Sequence, residues 1–377
     1  MNLRRLRAVS RKEFIQIARD PRSLGMAIAI PMLLLLLFGY ALTLDVDNVP
    51  LVVWDQDGTH ESREFISRFT GSPYFSLYRY VENYRDIESA VDAGKALAGL
   101  VIPRGFAGRT GSGRKADVQL ILDGSDSNTA TLAAGYAEAV TLIYSQETVA
   151  ANFRCLGGVE PLPPLDVRTR VWYNPDLDSK NYIIPGLIAV IMSIIAALLT
   201  SLTVAREWER GTMEQLISTP VKVPELVLGK LIPYFTIGLF DVLMAVLMGE
   251  FLFQVPLRGN VALLFVMAAV FLSGALSLGM LISIVTKNQL LASQVAIVST
   301  FLPSFLLSGF MYPISTMPQV VQSITYIIPA RYFVALLKGI YLKGVGLDIL
   351  FFEAGLLLLF GCVIVITANV KFRKLLE

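Results

Sequence analysis

Long uncharged apolar runs alternate with short charged segments along the chain. Residues 23–44 carry no charge between Arg22 and Asp45, and residues 181–205 none between Lys180 and Arg206. Residues 231–257 are apolar apart from Asp241 and Glu250, and residues 259–286 are uncharged between Arg258 and Lys287. Each run meets the roughly 20 apolar residues a helix needs to cross a hydrocarbon layer. The uncharged run 288–330 is too long for one span and holds Pro303, Pro313, Pro318 and Pro329. It predicts a span to about residue 311, then a proline-punctuated segment, 313–332, that enters the membrane partway and returns. Residues 344–370 give a last span, for a count of six. Non-helical backbone survives at membrane depth only under protein or beside a water-filled cavity. The segment 313–332 is therefore expected against other helices; the competing reading is a surface loop on the headgroups.

Between the first two runs the pattern changes to alternating strand and helix signals. Strands are predicted at 51–55, 75–81, 97–102, 118–122 and 167–173. Helices are predicted at 59–69, 84–93 and 128–152, with a turn at 110–113 and a Gly/Pro linker at 157–164. About 130 residues suffice for a separate α/β core. His60 reads as surface. Asp123, Asp126 and Asn128 could ligate calcium, but a cap for the next helix is the simpler use of such residues. Cys155 and Cys362 are predicted to lie at different depths and to form no disulfide.

Composition agrees with a membrane protein. Of 377 residues 54% are apolar and only 16% charged, against roughly 25% charged in soluble domains, and the mean hydropathy is +0.61. A single His and two Cys leave little for a histidine-based metal site or a disulfide scaffold. The formal charge of +2 hides an asymmetry: residues 45–180 hold 13 Lys/Arg and 19 Asp/Glu, net −6, and the rest of the chain is net +8. The basic residues cluster before the first run (Arg4, Arg5, Arg7, Arg11, Lys12, Arg19, Arg22), after the second (Arg206, Arg210, Lys222, Lys230), at Lys287, and in the tail (Lys371, Arg373, Lys374). With six spans these fall on one side, which the positive-inside bias makes cytoplasmic, termini included. Arg331, Lys338 and Lys343 go mildly against it. The first run is longer than a signal-peptide core and no A-x-A site follows, so it is expected to be retained.

Residues 3–22 have helical periodicity, with Leu3, Leu6, Val9, Phe14 and Ile17 on one face and Arg4, Arg7, Arg11, Lys12, Arg19 and Arg22 on the other. This predicts an interfacial helix on anionic lipid, ended by Asp20-Pro21; the alternative is an unstructured basic tail. Residues 206–220 (REWERGTMEQLISTP) mix both charge signs. Glu207, Arg210 and Glu214 are spaced for one helical face. Gly211 permits a bend, Thr212 with Gln215 fits a capping box, and Pro220 is a stop. Such a segment suits docking on another protein, or is a solvated loop.

Four features together carry a resemblance: the basic N-terminal helix ending in RDP (19–21), the large insert after the first span, AREWERGTMEQLISTP (205–220), and SGFMYPISTMPQ with YIIPARYF (308–333). The chain resembles the membrane subunit of an ABC transporter of the ABC-2 type, over essentially its whole length. It is most similar to bacterial drug- or lipid-export permeases with a long loop. The resemblance implies an α-helical membrane protein of six transmembrane helices, of the type V exporter kind, with an inserted extracytoplasmic α/β domain. The division expected is an interface helix (1–23), helix 1 (24–44), the α/β domain (45–180), helices 2–6 (181–371) and a cytoplasmic tail (372–377). It implies that 206–220 is a coupling helix seated on an ATPase, through Arg206, Glu207, Glu209, Arg210, Gly211, Thr212 and Glu214. The N-terminal helix, with Arg11, Lys12 and Asp20, packs beside it. Pro313, Met317, Pro318, Pro329 and Tyr332 would close the outer end of the pathway. The implied partners are two ATPase subunits, a second permease chain (identical or a sister), membrane lipid and a periplasmic adaptor, with no nucleic acid. The implied place is the bacterial inner membrane.

The chain contains no G-x-x-x-x-G-K-[ST] loop to cradle phosphate: Pro224 stands where the first Gly of a match at Gly229-Lys230 would be. No cofactor is therefore expected here, and ATP with Mg is assigned to the partner ATPase. Asp241 lies about 16 Å along a helix from Lys230, at a depth where a carboxylate usually faces the protein interior. It reads as a cation, substrate or proton site, or as a packing residue. A proton- or cation-coupled secondary transporter using Asp241 is the alternative function. Gly274, Ala275, Ser277 and Gly279 read as either a dimer seam or packing inside one bundle.

Overall fold

The computed structural model describes residues 2–42, 46–155, 170, 172–175 and 178–372. The expected linker 157–164, most of the strand 167–173, and Arg373 and Lys374 lie outside the described residues, as does the Cys155 side chain. The chain divides into two units, Leu44–Thr169 and the combination of Met1–Thr43 with Arg170–Glu377.

The larger unit is helical. Helix α1 (Leu3–Ala18) stops before Asp20, and α2 (Pro21–Ala41) restarts at once with proline in its first turn, where a missing N–H costs nothing. The smaller unit supplies β1 (Val49–Asp55), α3 (His60–Thr70), β2 (Phe75–Tyr80), α4 (Tyr84–Asp92), β3 (Ala98–Ile102), α5 (Phe106–Gly111), β4 (Gln119–Leu122) and α6 (Ser127–Cys155). The helical unit then resumes with α7 (Ser179–Glu209), α8 (Thr212–Ile217), α9 (Val223–Leu247), α10 (Val261–Thr286) and α11 (Gln289–Leu307). It ends with α12 (Gln319–Thr325), α13 (Pro329–Lys338) and α14 (Leu347–Lys371), and short π-helical turns extend α9 and α13.

Among the described residues, α7, α9 with its extension, α10, α11 and α14 are long and apolar enough to cross a membrane. The remaining predicted span, the first along the chain, is α2, whose apolar part, Ala27–Ala41, is shorter. The pair Gln319–Thr325 and Pro329–Lys343 is bent by 86° and adds one crossing only if taken as a single broken span. Helix α7 is the hub: it is buried along most of its length, against α10, α11, α2, α13 and α9. Helices α11 and α14 bury much less and present Leu290, Val298, Phe351, Leu359 and Ile366 outward.

In the smaller unit the sheet order is β2-β1-β3-β4. β1 pairs parallel with both β2 and β3, and β3 pairs antiparallel with β4. Parallel neighbours need crossover helices, which α3 and α4 provide. Leu51, Val53, Leu100 and Ile102 pack with Phe65, Phe69, Phe106 and Tyr144 on one side, and Val52 and Val101 with Ile87 and Ala90 on the other. Asp126 caps the start of α6, accepting from Asn128 N at 3.0 Å. His60 is exposed.

Helix α5 was not expected between the third and fourth strands. It is held by Asp57, whose carboxylate accepts from Gly105 N at 2.6 Å and Ala107 N at 3.0 Å. Those backbone bonds, Ala107 first, hold the Asp57 pKa below its ordinary value. A depressed carboxylate pKa stabilises the fold above the unfolded-state value near 4, and that contribution fades as pH falls through the folded value. Asp57→Ala is expected to cost about 1 kcal/mol, read as faster amide exchange across residues 105–111. Unchanged exchange would mean the clamp is idle.

Candidate functional site

Helix α7 has 31 residues, about 46 Å at 1.5 Å each, and a hydrocarbon layer is about 30 Å thick. Its ends must project, and Arg206, Glu207 and Glu209 form the last turn. The segment 206–220 is therefore two elements rather than one helix. Gly211, at φ 68°, makes the bend before α8, a conformation costly to a residue with a Cβ. The predicted capping box at Thr212 does not form. Gly211 takes the cap position without a side-chain bond, and Thr212 Oγ1 instead donates to the Glu207 carbonyl at 3.3 Å. Met213 is buried beneath α8, while Arg210, Gly211, Thr212, Glu214 and Gln215 are exposed.

Glu207 departs from the expected docking role. It is only 7% exposed and faces α1 and α9. Lys230 Nζ, two turns into α9, donates to Glu13 Oε1 of α1 at 2.9 Å and lies 2.8 Å from Glu207 Oε2. Lys12 Nζ closes the cluster on Glu207 Oε1 at 2.9 Å. Burial works against the Lys12 charge, but its hydrogen bond to Glu207 and the attraction of Glu207 and Glu13 outweigh this and raise its pKa. A buried Lys or Glu survives as an ion only when paired; here two carboxylates share two ammonium groups across three helices.

Helix α1 docks along α9 through Val9, Ser10 and Glu13. Arg5 Nη1 donates to Pro220 O at 2.5 Å, and Asn2 N to Glu225 Oε1 at 2.6 Å. The predicted apolar face is thus split. Leu6, Val9 and Ile17 turn inward, whereas Leu3 and Phe14 remain exposed. Arg11 is exposed, and Asp20 is half-buried at the α1–α2 junction. On the other side of α7, Glu209 accepts from Gln289 N at 2.8 Å and from its side-chain amide. Lys287 Nζ sits 4.6 Å from the Trp208 ring centre. Higher up, Ser283 Oγ accepts from Val204 N and Ala205 N, and Thr200 Oγ1 donates to Leu276 O at 2.8 Å. The end of α7 is therefore tied to α1, α9, α10 and α11, while α8 beside it is anchored through Met213 and presents its polar residues outward.

The segment 313–332 splits between its two predicted environments. Pro313 and Pro318 are exposed and Met317 half-buried, with Val320 and Ile327 largely exposed. From Ile328 the chain turns in: Pro329 opens α13, Tyr332 is buried, and Phe333 stacks on Phe271 at 4.1 Å. Tyr332 Oη donates to Tyr326 O at 2.6 Å, and Lys338 Nζ to Gly309 O at 2.9 Å while facing the Tyr182 ring. Only α13 has the protein cover expected of the whole segment.

Asp241 is fully buried in α9, and neither carboxylate oxygen has a hydrogen-bond partner among the described residues. Gly274, Ala275, Ser277 and Gly279 pack inside the bundle. A Cβ at Gly274 would meet Gly361 and Phe360 of α14, and one at Gly279 would overlap Ala197 O and Thr200 Oγ1 of α7. This favours the packing reading of that run. Sequence reasoning missed Glu13, Lys230 and Gln289. The available signal was Lys230 itself, a lone cation in the apolar stretch LGKLI.

Comparison with known proteins gives one consistent family. The description "ABC-2 family transporter protein" matches residues 21–369. The probable multidrug ABC transporter permease YbhS of Escherichia coli K12 is 42% identical over 345 residues, covering 91% of this chain and 90% of its own. The probable multidrug ABC transporter permease YbhR of the same organism is 32% identical over 374 residues, covering 98% of each. The inner membrane transport permease YhhJ of that strain is 28% identical over 331 residues, 86% of this chain and 85% of its own.

Proposed function

Since the chain belongs to the ABC-2 transporter family, we propose that it is the transmembrane permease subunit of an exporter driven by a separate ATPase. The solutes are hydrophobic or amphipathic, drug- or lipid-like, in keeping with the multidrug names of YbhS and YbhR. The carrying observation is the mechanical arrangement at the end of α7. An exposed platform, Arg210 to Thr212 with Glu214, is joined through one bend to a helix clamped by a buried ion cluster. A push on α8 is thereby delivered to α1, α7 and α9 together, as rigid-body rocking of a bundle requires.

In this reading two ATPase subunits hold ATP and Mg, because this chain has no phosphate-binding loop, and a second permease chain completes the pathway. The platform faces the cytoplasm, the α/β unit lies outside the inner membrane, and Tyr332 with Pro329 belongs to the outer gate. Arg210→Glu combined with Glu214→Arg is expected to reduce ATPase recovered with the solubilised chain about tenfold, a loss of about 1.4 kcal/mol. An undiminished complex would remove α8 from the interface.

Asp241, buried without a hydrogen-bond partner among the described residues, keeps a second reading in view, a proton- or cation-coupled carrier. Transport that persists without any ATPase and collapses with the proton gradient would put that reading in place of the first.

A further inference from the structure

Two adjoining chambers lie between α1, α2, α7 and α9. One, about 260 Å³, is walled by Leu24, Ala27 and Ile30 of α2, Leu199 and Leu202 of α7, and Ile237 of α9. The other, about 270 Å³, is polar and contains the Lys12–Glu13–Glu207–Lys230 cluster with Arg206 and Arg210. Gln16, Arg206 and Tyr234 line both chambers, so a single molecule could occupy the two. The apolar lining on α7 runs from Ile195 to the polar end at Arg206, about 16 Å along the axis.

The charges of this space select its occupant. Glu13 and Glu207 are already matched by Lys230 and Lys12. Arg206 and Arg210 have no carboxylate partner among the described residues; the contact found for Arg206 is a 3.4 Å bond to Gln289 Oε1. Asp20, on the apolar rim, has an interaction of its own. Two unmatched guanidinium groups beside an apolar slot suit a phosphate ester on an acyl chain, because the guanidinium fork fits phosphate oxygens in pairs.

We propose that this cleft is a binding site for an anionic phospholipid drawn from the surrounding bilayer, one acyl chain between α2 and α7 and its phosphate at Arg206. The site goes beyond the export reading and needs no ATPase; only the choice of the cytoplasmic leaflet rests on the orientation given above. The lipid would wedge between α1 and the bundle at the point where α7 is clamped.

The test uses the full chain in phosphatidylcholine vesicles, with phosphatidylglycerol carrying a photoreactive group in one acyl chain. Labelling is expected to concentrate on the α2 and α7 peptides containing Ala27 and Leu199, about tenfold above the outward face of α14. It is expected to exceed that from the matching phosphatidylcholine probe, with Arg206→Gln lowering this preference about tenfold, the scale of one charge-assisted contact. Ala27→Trp should fill the slot and abolish the labelling. If that variant does not fold, the wild-type pattern and Arg206→Gln decide. Even labelling around the bundle, equal labelling by both headgroups, or displacement by free glycerol phosphate would each overturn the proposal.

Discussion

Lys230→Met is expected to destabilise the helical unit by about 3 kcal/mol. Lys230 is 1% exposed and is the fully buried cation of the cluster, 2.9 Å from Glu13 and 2.8 Å from Glu207, whereas the half-exposed Lys12 is 2.9 Å from Glu207 and 3.8 Å from Glu13. Removing it leaves two buried carboxylates with Lys12 alone, whose side chain is half in solvent. Breaking a buried ion pair from one side costs about 3–5 kcal/mol, because the abandoned charge remains desolvated. The lower end applies here, since Lys12 still reaches Glu207 and, at 3.8 Å, Glu13. Combining Lys230→Met with Glu13→Gln and Glu207→Gln should recover most of the loss, as neutral replacements of a buried ion cluster are often tolerated. Thermal unfolding of the purified chain in detergent reads both effects. A single variant with unchanged Tm would show that water reaches the cluster. The comparison also separates stability from coupling: the triple variant should fold yet transmit less of any motion at α8 to α1.

Gly279→Leu is expected to prevent stable packing of α10 on α7, with loss of folded protein on size exclusion. Even Gly279→Ala is expected to cost about 1–3 kcal/mol, the usual range for overpacking. A Cβ at this position overlaps the Ala197 carbonyl and the Thr200 hydroxyl, both on the hub helix. Backbone cannot swing aside as a side chain can, and Thr200 is itself fixed by its bond to Leu276 O. Gly355 in α14 is the control, because nothing lies within 4 Å of its Cβ position. Gly355→Ala should be neutral or gain up to about 1 kcal/mol from helix propensity. Equal effects at the two glycines would show that the α7–α10 contact has room for a methyl group.

The two halves of the chain were legible to different degrees. The strands at 51–55 and 97–102 were readable because parallel central strands are continuous apolar runs, and β1 and β3 fall there. Helix α5 was missed because FAGRTG offers two glycines and no periodicity, and its start is fixed by Asp57 from a distant turn. At the candidate site the platform residues Arg210, Gly211 and Glu214 stood out through mixed charge beside a glycine. Glu207, in the same motif, looked equivalent to them. It differs only because α7 continues unbroken to Glu209, which turns Glu207 inward.

By itself the sequence determined which segments are apolar enough to leave water, where helices must break at Asp20-Pro21 and Gly211, and that an α/β insert separates the first two runs. These are properties of local composition and backbone geometry, and they require no knowledge of neighbours. Only the tertiary structure decided which charged residues are partners. Glu13 and Lys230 are 217 positions apart, and nothing in the local pattern of either segment points to the other. It likewise decided that Gly279 meets α7 and that only α13 of the proline-rich segment is covered. Pairing and close approach depend on which helix faces which, and hydropathy along a single strand of text holds no record of that.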